Sequence, residues 1–203
     1  MAGIERGAVR KTLRLSFMDG IFASGMIGLT QEYFTPLLLF LGGTVREVGV
    51  LVSLPNLLAS LAQMKTIDFI RTFRSRRRVI TTFVLIQAIS LLTIAVTGAL
   101  GVLTTEILIL LAVLFTASGA IALPAWGSLM SDLIPVRRRG AYLGWRNSVL
   151  GVIIVCASLA AGMLLHGMPV ERLGAGFVAV FALAFVFRLL SWAYLRRMYD
   201  PPV

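Results

Sequence analysis

Three ionisable residues stand inside long apolar stretches of this sequence, and their types allow ion pairing or the binding of a charged group. Asp19 follows Arg14 by five positions, and Arg146 follows the basic run 137–139. Glu32 lies further along the apolar stretch that contains Asp19. A charged group surrounded by hydrocarbon is unfavourable, so it tends to be paired or functional. We therefore predict an ion pair between Asp19 and Arg146.

Two further charged residues offer alternatives to that pair, and a third, Arg188, lies in an apolar segment of its own. Asp132 also adjoins the basic run and could pair with Arg146, while Arg14 could meet Asp19 at the surface. Arg188 precedes Arg196 by eight residues, which is about 12 Å along a helix. Its long side chain is expected to extend to the interface with water.

Polar and aromatic residues beside three prolines form a second group of candidates. Pro36, Pro55 and Pro124 each remove a backbone hydrogen-bond donor and free the carbonyl group four residues earlier. In a membrane such gaps are tolerated where protein or a wet cavity satisfies the freed group. Asn147, which directly follows Arg146, is added to this group. The candidates for binding a solute or a proton are thus Gln31, Glu32, Tyr33, Asn56, Trp126 and Asn147.

Metal-ion and nucleophilic chemistry are not indicated. The chain has one cysteine, Cys156, and one histidine, His166. These two positions do not support a disulfide, a Cys/His metal site or a cysteine–histidine nucleophile pair. A serine–histidine or histidine–acid constellation is also missing from the sequence. We therefore predict no catalytic residue, no metal site, no cofactor and no enzyme activity.

The composition is that of a membrane protein. Of 203 residues, 58% are hydrophobic and 14% are charged, and the mean hydropathy is +0.91. A soluble domain is nearer half apolar and about one quarter charged. The net charge of +10 would suit a nucleic-acid partner, but the basic residues occur in short clusters between apolar segments rather than along one polar face. We therefore predict a lipid bilayer, and no nucleic acid, as partner.

Six apolar segments are long enough to cross a bilayer as helices, since a spanning helix needs about 20 mainly apolar residues. The first is too long for a signal peptide, carries Asp19 and Glu32, and lacks a small-residue cleavage site. The sequence thus predicts an all-α membrane protein with one six-helix domain over residues 1–203, whose spans are 15–41, 47–67, 79–101, 105–134, 141–166 and 173–195.

The basic residues predict the orientation of these spans. Lysine and arginine concentrate in short loops that stay in the cytoplasm. Sixteen of the basic residues fall at the two termini, in the loops after spans two and four, or at Arg146, whereas the other loops hold Arg46 and Arg172. We therefore predict a multi-pass protein of the bacterial inner membrane with both termini in the cytoplasm.

Two loops and one span resemble those of the major facilitator superfamily. The segment "QMKTIDFIRTFRSRRRVI" is similar to the family's signature loop, in which an acid precedes a basic cluster. The segment "PAWGSLMSDLIPVRRRG" resembles the family's exit from span four, and "YFTPLLLFLGGTVREVGVLVSLPNLL" resembles uncharacterised bacterial members. The chain departs from the signature at Met64, where the family has glycine, and at Phe69, where it has a basic residue.

The resemblance implies the N-terminal six-helix half of such a transporter, built as a repeat of two three-span units. Spans one, two, four and five would line a cavity. The charged residues near the cytoplasmic ends would form a gate, for which the candidates are Asp19, Asp68, Arg76, Arg77, Arg78, Asp132, Arg139 and Arg146.

The function implied is secondary transport of a small solute by alternating access. Family members have two halves related by an axis along the membrane normal, so the partner would be a second six-helix half or a second copy of this chain. The alternative is a membrane interaction module, or a truncated fragment, that does not transport. For the solute, the sequence shows no dense aromatic and acidic cluster typical of a cation site. It also indicates no buried pair of arginines that would suit an organic phosphate.

Overall fold

The computed structural model describes residues 6–200, which form an all-α protein. The eight α-helices and one 3₁₀ turn are, in chain order, α1 (Arg6–Thr30), α2 (Phe34–Phe40), α3 (Val45–Met64), α4 (Thr66–Phe73), α5 (Arg76–Ala99), α6 (Thr105–Leu133), α7 (Val136–His166), the turn Val170–Arg172 and α8 (Leu173–Leu195). Five segments are long and apolar enough to cross a membrane, namely α3, α5, α6, α7 and the stretch from the 3₁₀ turn through α8.

The predicted first span, 15–41, is not one continuous helix. It is interrupted at residues 31–33 and continues as α2, whose third residue is Pro36. A proline is tolerated in the first turn of a helix but clashes with the carbonyl group four residues earlier when the helix continues through it. The chain therefore breaks next to Glu32. Helix α1 has 25 residues, or about 38 Å of length, and is long enough to span although its charges lower its hydropathy.

The loop after the predicted second span contains a short helix of its own. Helix α3 ends at Met64, and α4 follows almost at once. Arg74 ends α4 in the left-handed conformation, with φ of 48°. The hydroxyl group of Ser75 then accepts a hydrogen bond from the backbone N–H of Arg78 and caps α5. The basic cluster 76–78 thus forms the first turn of α5 rather than an irregular loop.

The long helices are arranged as a row of neighbours. Helix α3 packs on α6, α6 on α5, α5 on α8, α8 on α1, and α1 on α7. Exchanging α1 with α6, α3 with α7 and α5 with α8 reproduces the same set of neighbours. A repeat of two three-span units would produce this pattern. Helices α3 and α7 stand at the two ends of the row and are the least buried of the five candidate spans.

The hydrophobic core is divided into two clusters along the helix axes. On α5, Val84 belongs to the cluster near the basic end and Leu91 to the other cluster. On α8, Leu195 belongs to the cluster near the basic end and Ala184 to the other cluster. Between the clusters lies a layer of buried polar residues, here called the polar layer, whose members are Ser16, Asp19, Gln87, Arg146, Arg188 and Ser191.

Small residues let α1 and α7 approach closely. A Cβ atom added at Gly28 would clash with the carbonyl oxygen of Ile154 and would lie 2.8 Å from Cβ of Ala157. Membrane helices lack a strong hydrophobic drive to associate, so small residues that allow close backbone contact favour their packing. This contact holds α7 beside the polar layer.

Candidate functional site

A chain of hydrogen bonds links α1, α8, α5 and α6 within the polar layer. The hydroxyl group of Ser191 donates to Oδ1 of Asp19 at 2.6 Å, and Nη1 of Arg188 donates to the same hydroxyl oxygen at 3.2 Å. Nη2 of Arg188 donates to Oε1 of Gln87. The Gln87 side chain in turn donates to the carbonyl oxygen of Phe115 at 2.9 Å. The carboxylate and the guanidinium group of Arg188 are therefore joined through one serine.

Arg146 reaches the polar layer from α7. It is only 7% exposed, and its Nη2 donates to the carbonyl oxygen of Ser16 at 3.1 Å. Its guanidinium carbon lies 4.6 Å from the centre of the Trp126 ring, a cation–π contact. Gly20 makes room for this side chain, because a Cβ atom there would lie 2.5 Å from Nη2 of Arg146. The arginine is thus held by α1 and α6.

The predicted direct ion pair between Asp19 and Arg146 is not formed. Among the side chains that the structure describes, oppositely charged nitrogen and oxygen atoms approach within 4.0 Å only in the pairs Lys65–Asp68 and Arg76–Asp132. Asp19 is instead held by Ser191, although both Arg146 and Arg188 act on it electrostatically. The prediction was wrong because it considered two helices, whereas α8 supplies the nearest partner. Asp132, the rival partner for Arg146, pairs with Arg76.

Arg188 does not extend to the interface as predicted. It is 8% exposed and lies in the polar layer, bound to Gln87 and Ser191. These three residues were missed as site candidates. A usable signal was present in "FVLIQAISLL", because one glutamine in an otherwise apolar run is costly in a membrane unless it has a partner.

A cavity of about 500 Å³ opens beside the polar layer and is here called the central cavity. Its lining includes most of the charged and aromatic groups described above, with Asn147 next to Arg146. The polar, charged or aromatic residues that line it are Asp19, Ser24, Gln87, Phe115, Trp126, Arg146, Asn147 and Arg188. Asp19 and Arg146, which the sequence placed in a gate, thus share a cavity with the candidates Trp126 and Asn147.

A second cavity, of about 490 Å³, lies nearer α2 and α3. Three other binding candidates, Gln31, Glu32 and Asn56, line it. Both cavities include Ile27, Gln87 and Phe115 in their walls, so they adjoin each other there. Five of the six predicted binding residues are therefore divided between two neighbouring cavities, and Tyr33 lines neither of them.

Two of these candidates have polar atoms bound to backbone. The hydroxyl group of Tyr33 donates to the carbonyl oxygen of Ser158 at 2.5 Å and ties the turn after α1 to α7. The amide nitrogen of Asn56 donates to the carbonyl oxygen of Val52, one turn earlier in α3, at 2.7 Å. Tyr33 therefore positions helices, and Asn56 keeps its amide oxygen for other partners.

The predicted gate residues outside the polar layer lie at the basic ends of the helices. Arg76 pairs with Asp132 and also donates to the carbonyl oxygen of Ser128, which joins α5 to α6. Arg139 donates to the carbonyl oxygen of Ser131 at 2.5 Å across the turn between α6 and α7. Both arginines hold α6 near its C-terminal end.

The remaining gate candidates make other contacts. Arg77 donates to the carbonyl oxygens of Arg196 and Met198, beyond α8. Asp68 pairs with Lys65 at 3.6 Å on the exposed face of α4, and Arg78 is exposed. Asp68 therefore stands apart from the cluster 76–78 that follows it in sequence.

Comparison with known proteins gives one finding on the family. A family model described as Major Facilitator Superfamily matches residues 15–202. No curated protein and no solved structure matches the chain. The matched region contains α1 from Leu15 onward together with every other helix, and therefore the whole polar layer and both cavities.

Proposed function

The chain belongs to the Major Facilitator Superfamily, and on that premise we propose that it moves a small solute across the membrane by alternating access. It is a multi-pass membrane protein of a transporter family and not an enzyme. The central cavity supports the proposal best, because its wall carries buried charges of both signs. Charges inside a membrane domain tend to mark solute or ion pathways.

The proposal includes six spans, with α1 and α2 together forming the first. It also includes a second six-helix body, either a second half or a second copy of this chain in the same orientation. The exposed apolar residues of the two end helices support this part, among them Val52, Leu57 and Leu61 on α3 and Val152, Val155 and Leu159 on α7. Since both halves of the family's members run in the same direction, a parallel pair satisfies the topology.

Solute movement can be tested without knowing the solute. Proteoliposomes would be loaded with a mixture of organic acids, amines, sugars and amino acids, and release would be followed by mass spectrometry. We expect at least one compound to leave faster than from protein-free liposomes. Asn147→Trp, which fills the central cavity, should abolish that difference. Leu183→Trp, at an exposed apolar position of α8, which is not an end helix, should keep it. Equal release of every compound with and without protein would favour the interaction module that does not transport.

The Arg76–Asp132 pair is proposed to act as part of the gate. Arg76→Gln and Asp132→Asn should slow release of the same compound to a similar extent, and the double variant should be no slower than either single one. Because the Asp132 side chain is 49% exposed, Asp132→Asn should change the free energy of unfolding by less than about 1 kcal/mol. Arg137→Gln, an exposed residue of α7, is the control. Additive effects of the two substitutions would contradict a shared role.

The proposed orientation predicts from which side of the membrane two exposed positions can be labelled. In a Cys156→Ser background, Val102→Cys in the loop between α5 and α6 should react with an impermeant maleimide added to intact cells. Arg138→Cys should react only after the membrane is opened, because the first turn of α7 belongs to the basic side. Both positions are exposed. Reaction of Arg138→Cys in intact cells would reverse the proposed orientation.

A further inference from the structure

The charges that line the central cavity do not balance. Among the described residues of its wall, the ionisable ones are Asp19, Arg146 and Arg188. All three are buried, with exposed fractions of 5%, 7% and 8%. Two guanidinium groups against one carboxylate leave a formal excess of one positive charge. A buried charge without a counter-charge is strongly unfavourable, so the layer is electrostatically incomplete as it stands.

The hydrogen-bond donors of this wall are also in excess. Nε of Arg146, Nε of Arg188 and Nε1 of Trp126 are enclosed and have no partner among the described residues. A solute in the cavity cannot touch these three atoms, so the donors open to it are those on the Nη atoms of the two arginines. A guanidinium group has five N–H donors and no acceptor, and Arg146 uses one of them, on the Ser16 carbonyl oxygen. Donors without acceptors call for a ligand that only accepts hydrogen bonds. Ionised carboxylates and phosphates are such ligands.

The one carboxylate in the wall is already engaged. Asp19 accepts the hydroxyl proton of Ser191 and lies beside both arginines. A cationic solute would therefore have to approach two guanidinium groups to reach it. Glu32, which lines the second cavity, is exposed and belongs to a different wall. The central cavity thus repels cations and suits an acceptor of the opposite charge.

We propose that the central cavity binds a small anion whose carboxylate or phosphate group is held by Arg146 and Arg188. The expectation from sequence that the chain offers no buried pair of arginines is accordingly wrong, because Arg188 does not extend to the interface. The cavity volume, about 500 Å³, lies in the range of small-molecule sites. This inference rests on the proposed function only in assuming that the cavity receives a solute, and it names the chemical class of that solute.

Binding can be measured with Trp126 as reporter, since its ring lies 4.6 Å from the guanidinium carbon of Arg146. The chain has three tryptophans, so a Trp145→Phe, Trp192→Phe background isolates the signal. In nanodiscs of phosphatidylcholine at constant ionic strength, succinate or inorganic phosphate should change the fluorescence in a saturable way. Glycerol and tetraethylammonium should not. A saturable response to either of the latter, with none to the two anions, would overturn the inference.

Substitution of one arginine separates a specific site from general attraction. Arg146→Gln should weaken succinate or phosphate binding about 10- to 100-fold, the usual value of a hydrogen bond to a charged group. Arg146→Lys keeps the charge and should weaken it less. Arg137→Gln removes an equal charge from the exposed part of α7 and should leave the affinity unchanged. Equal loss in Arg137→Gln and Arg146→Gln would mean that the net charge alone attracts the anion, and would overturn the inference.

Two further comparisons identify the source of the anion and separate this inference from transport. If phosphatidylglycerol in the nanodisc prevents the response to succinate and phosphate, the site belongs to a lipid headgroup and the soluble anion is ruled out. Saturable anion binding without release of any compound from proteoliposomes would support this inference and remove the proposed transport. Release of neutral or cationic compounds alone would support the proposed transport and contradict the proposed anion site.

Discussion

Asp19→Asn is expected to lower the free energy of unfolding by about 1.5–3 kcal/mol, the usual value of a hydrogen bond to a charged group, because Asp19 is held by Ser191 and not by a direct ion pair. The substitution keeps the size of the side chain but leaves Arg146 and Arg188 facing each other's charge in the polar layer. Thermal unfolding in detergent would measure the loss. Glu171→Gln, which removes one carboxylate from the exposed 3₁₀ turn, is the matched control and should unfold like the wild type.

A second substitution tests which of the two arginines interacts more strongly with Asp19. Because Ser191 joins Asp19 to Arg188, Asp19→Asn with Arg188→Gln should recover part of the lost stability. The double variant should be more stable than the sum of the two single effects predicts. Asp19→Asn with Arg146→Gln should recover less, since no such bond joins these two residues. If Asp19→Asn alone unfolds like Glu171→Gln, Asp19 carries no charge in the folded protein and does not compensate the two arginines.

Gly28→Leu is expected to prevent correct folding, and Gly28→Ala to destabilise by about 1–3 kcal/mol, the usual cost of overpacking. A Cβ atom at this position clashes with the Ile154 carbonyl oxygen, and backbone cannot move aside as a flexible side chain can. Helix α7 would have to shift away from α1 and carry Arg146 out of the polar layer. Thermal unfolding and size-exclusion chromatography would report the loss.

The control for this substitution lies on α7 itself. A Cβ atom at Gly144 would meet nothing within 4 Å, so Gly144→Ala should be neutral or slightly stabilising, since alanine favours a helix over glycine. If Gly28→Ala were as stable as Gly144→Ala, the close approach of α1 and α7 would be wrong, and with it the position of Arg146.

The all-α membrane fold was predictable because hydropathy and the number of residues needed to cross a bilayer are properties of short segments. The break in the first span was indicated by Pro36, and its approximate position followed from the carbonyl group that this proline frees. It falls at residues 31–33 because the clash involves the carbonyl group four residues before the proline. The exact residues at which a helix is interrupted also depend on neighbouring contacts. Here the contact is the hydrogen bond from the Tyr33 hydroxyl group to the Ser158 carbonyl oxygen.

Two of the three charged members of the site, Asp19 and Arg146, were predictable from the sequence, but their partners were not. Asp19 and Arg146 stood out because an ionisable residue in an apolar stretch is unusual. Their partners depend on which faces of α1, α7 and α8 meet, and the sequence does not determine this without the packing. Arg188 shows the difficulty, because its distance from Arg196 along the helix fits both a buried residue and one that reaches the interface.

The central claim, that the cavity beside the polar layer opens in turn to the two sides of the membrane, can be tested most directly at Asn147. This residue lines the central cavity and is exposed. In a Cys156→Ser background, Asn147→Cys would be treated with an impermeant thiol reagent on either side of sealed vesicles of both orientations. Alternating access predicts reaction from each side, with Val152→Cys on the opposite face of α7 unreactive from both. Reaction of Asn147→Cys from one side only, under every condition tried, would contradict it.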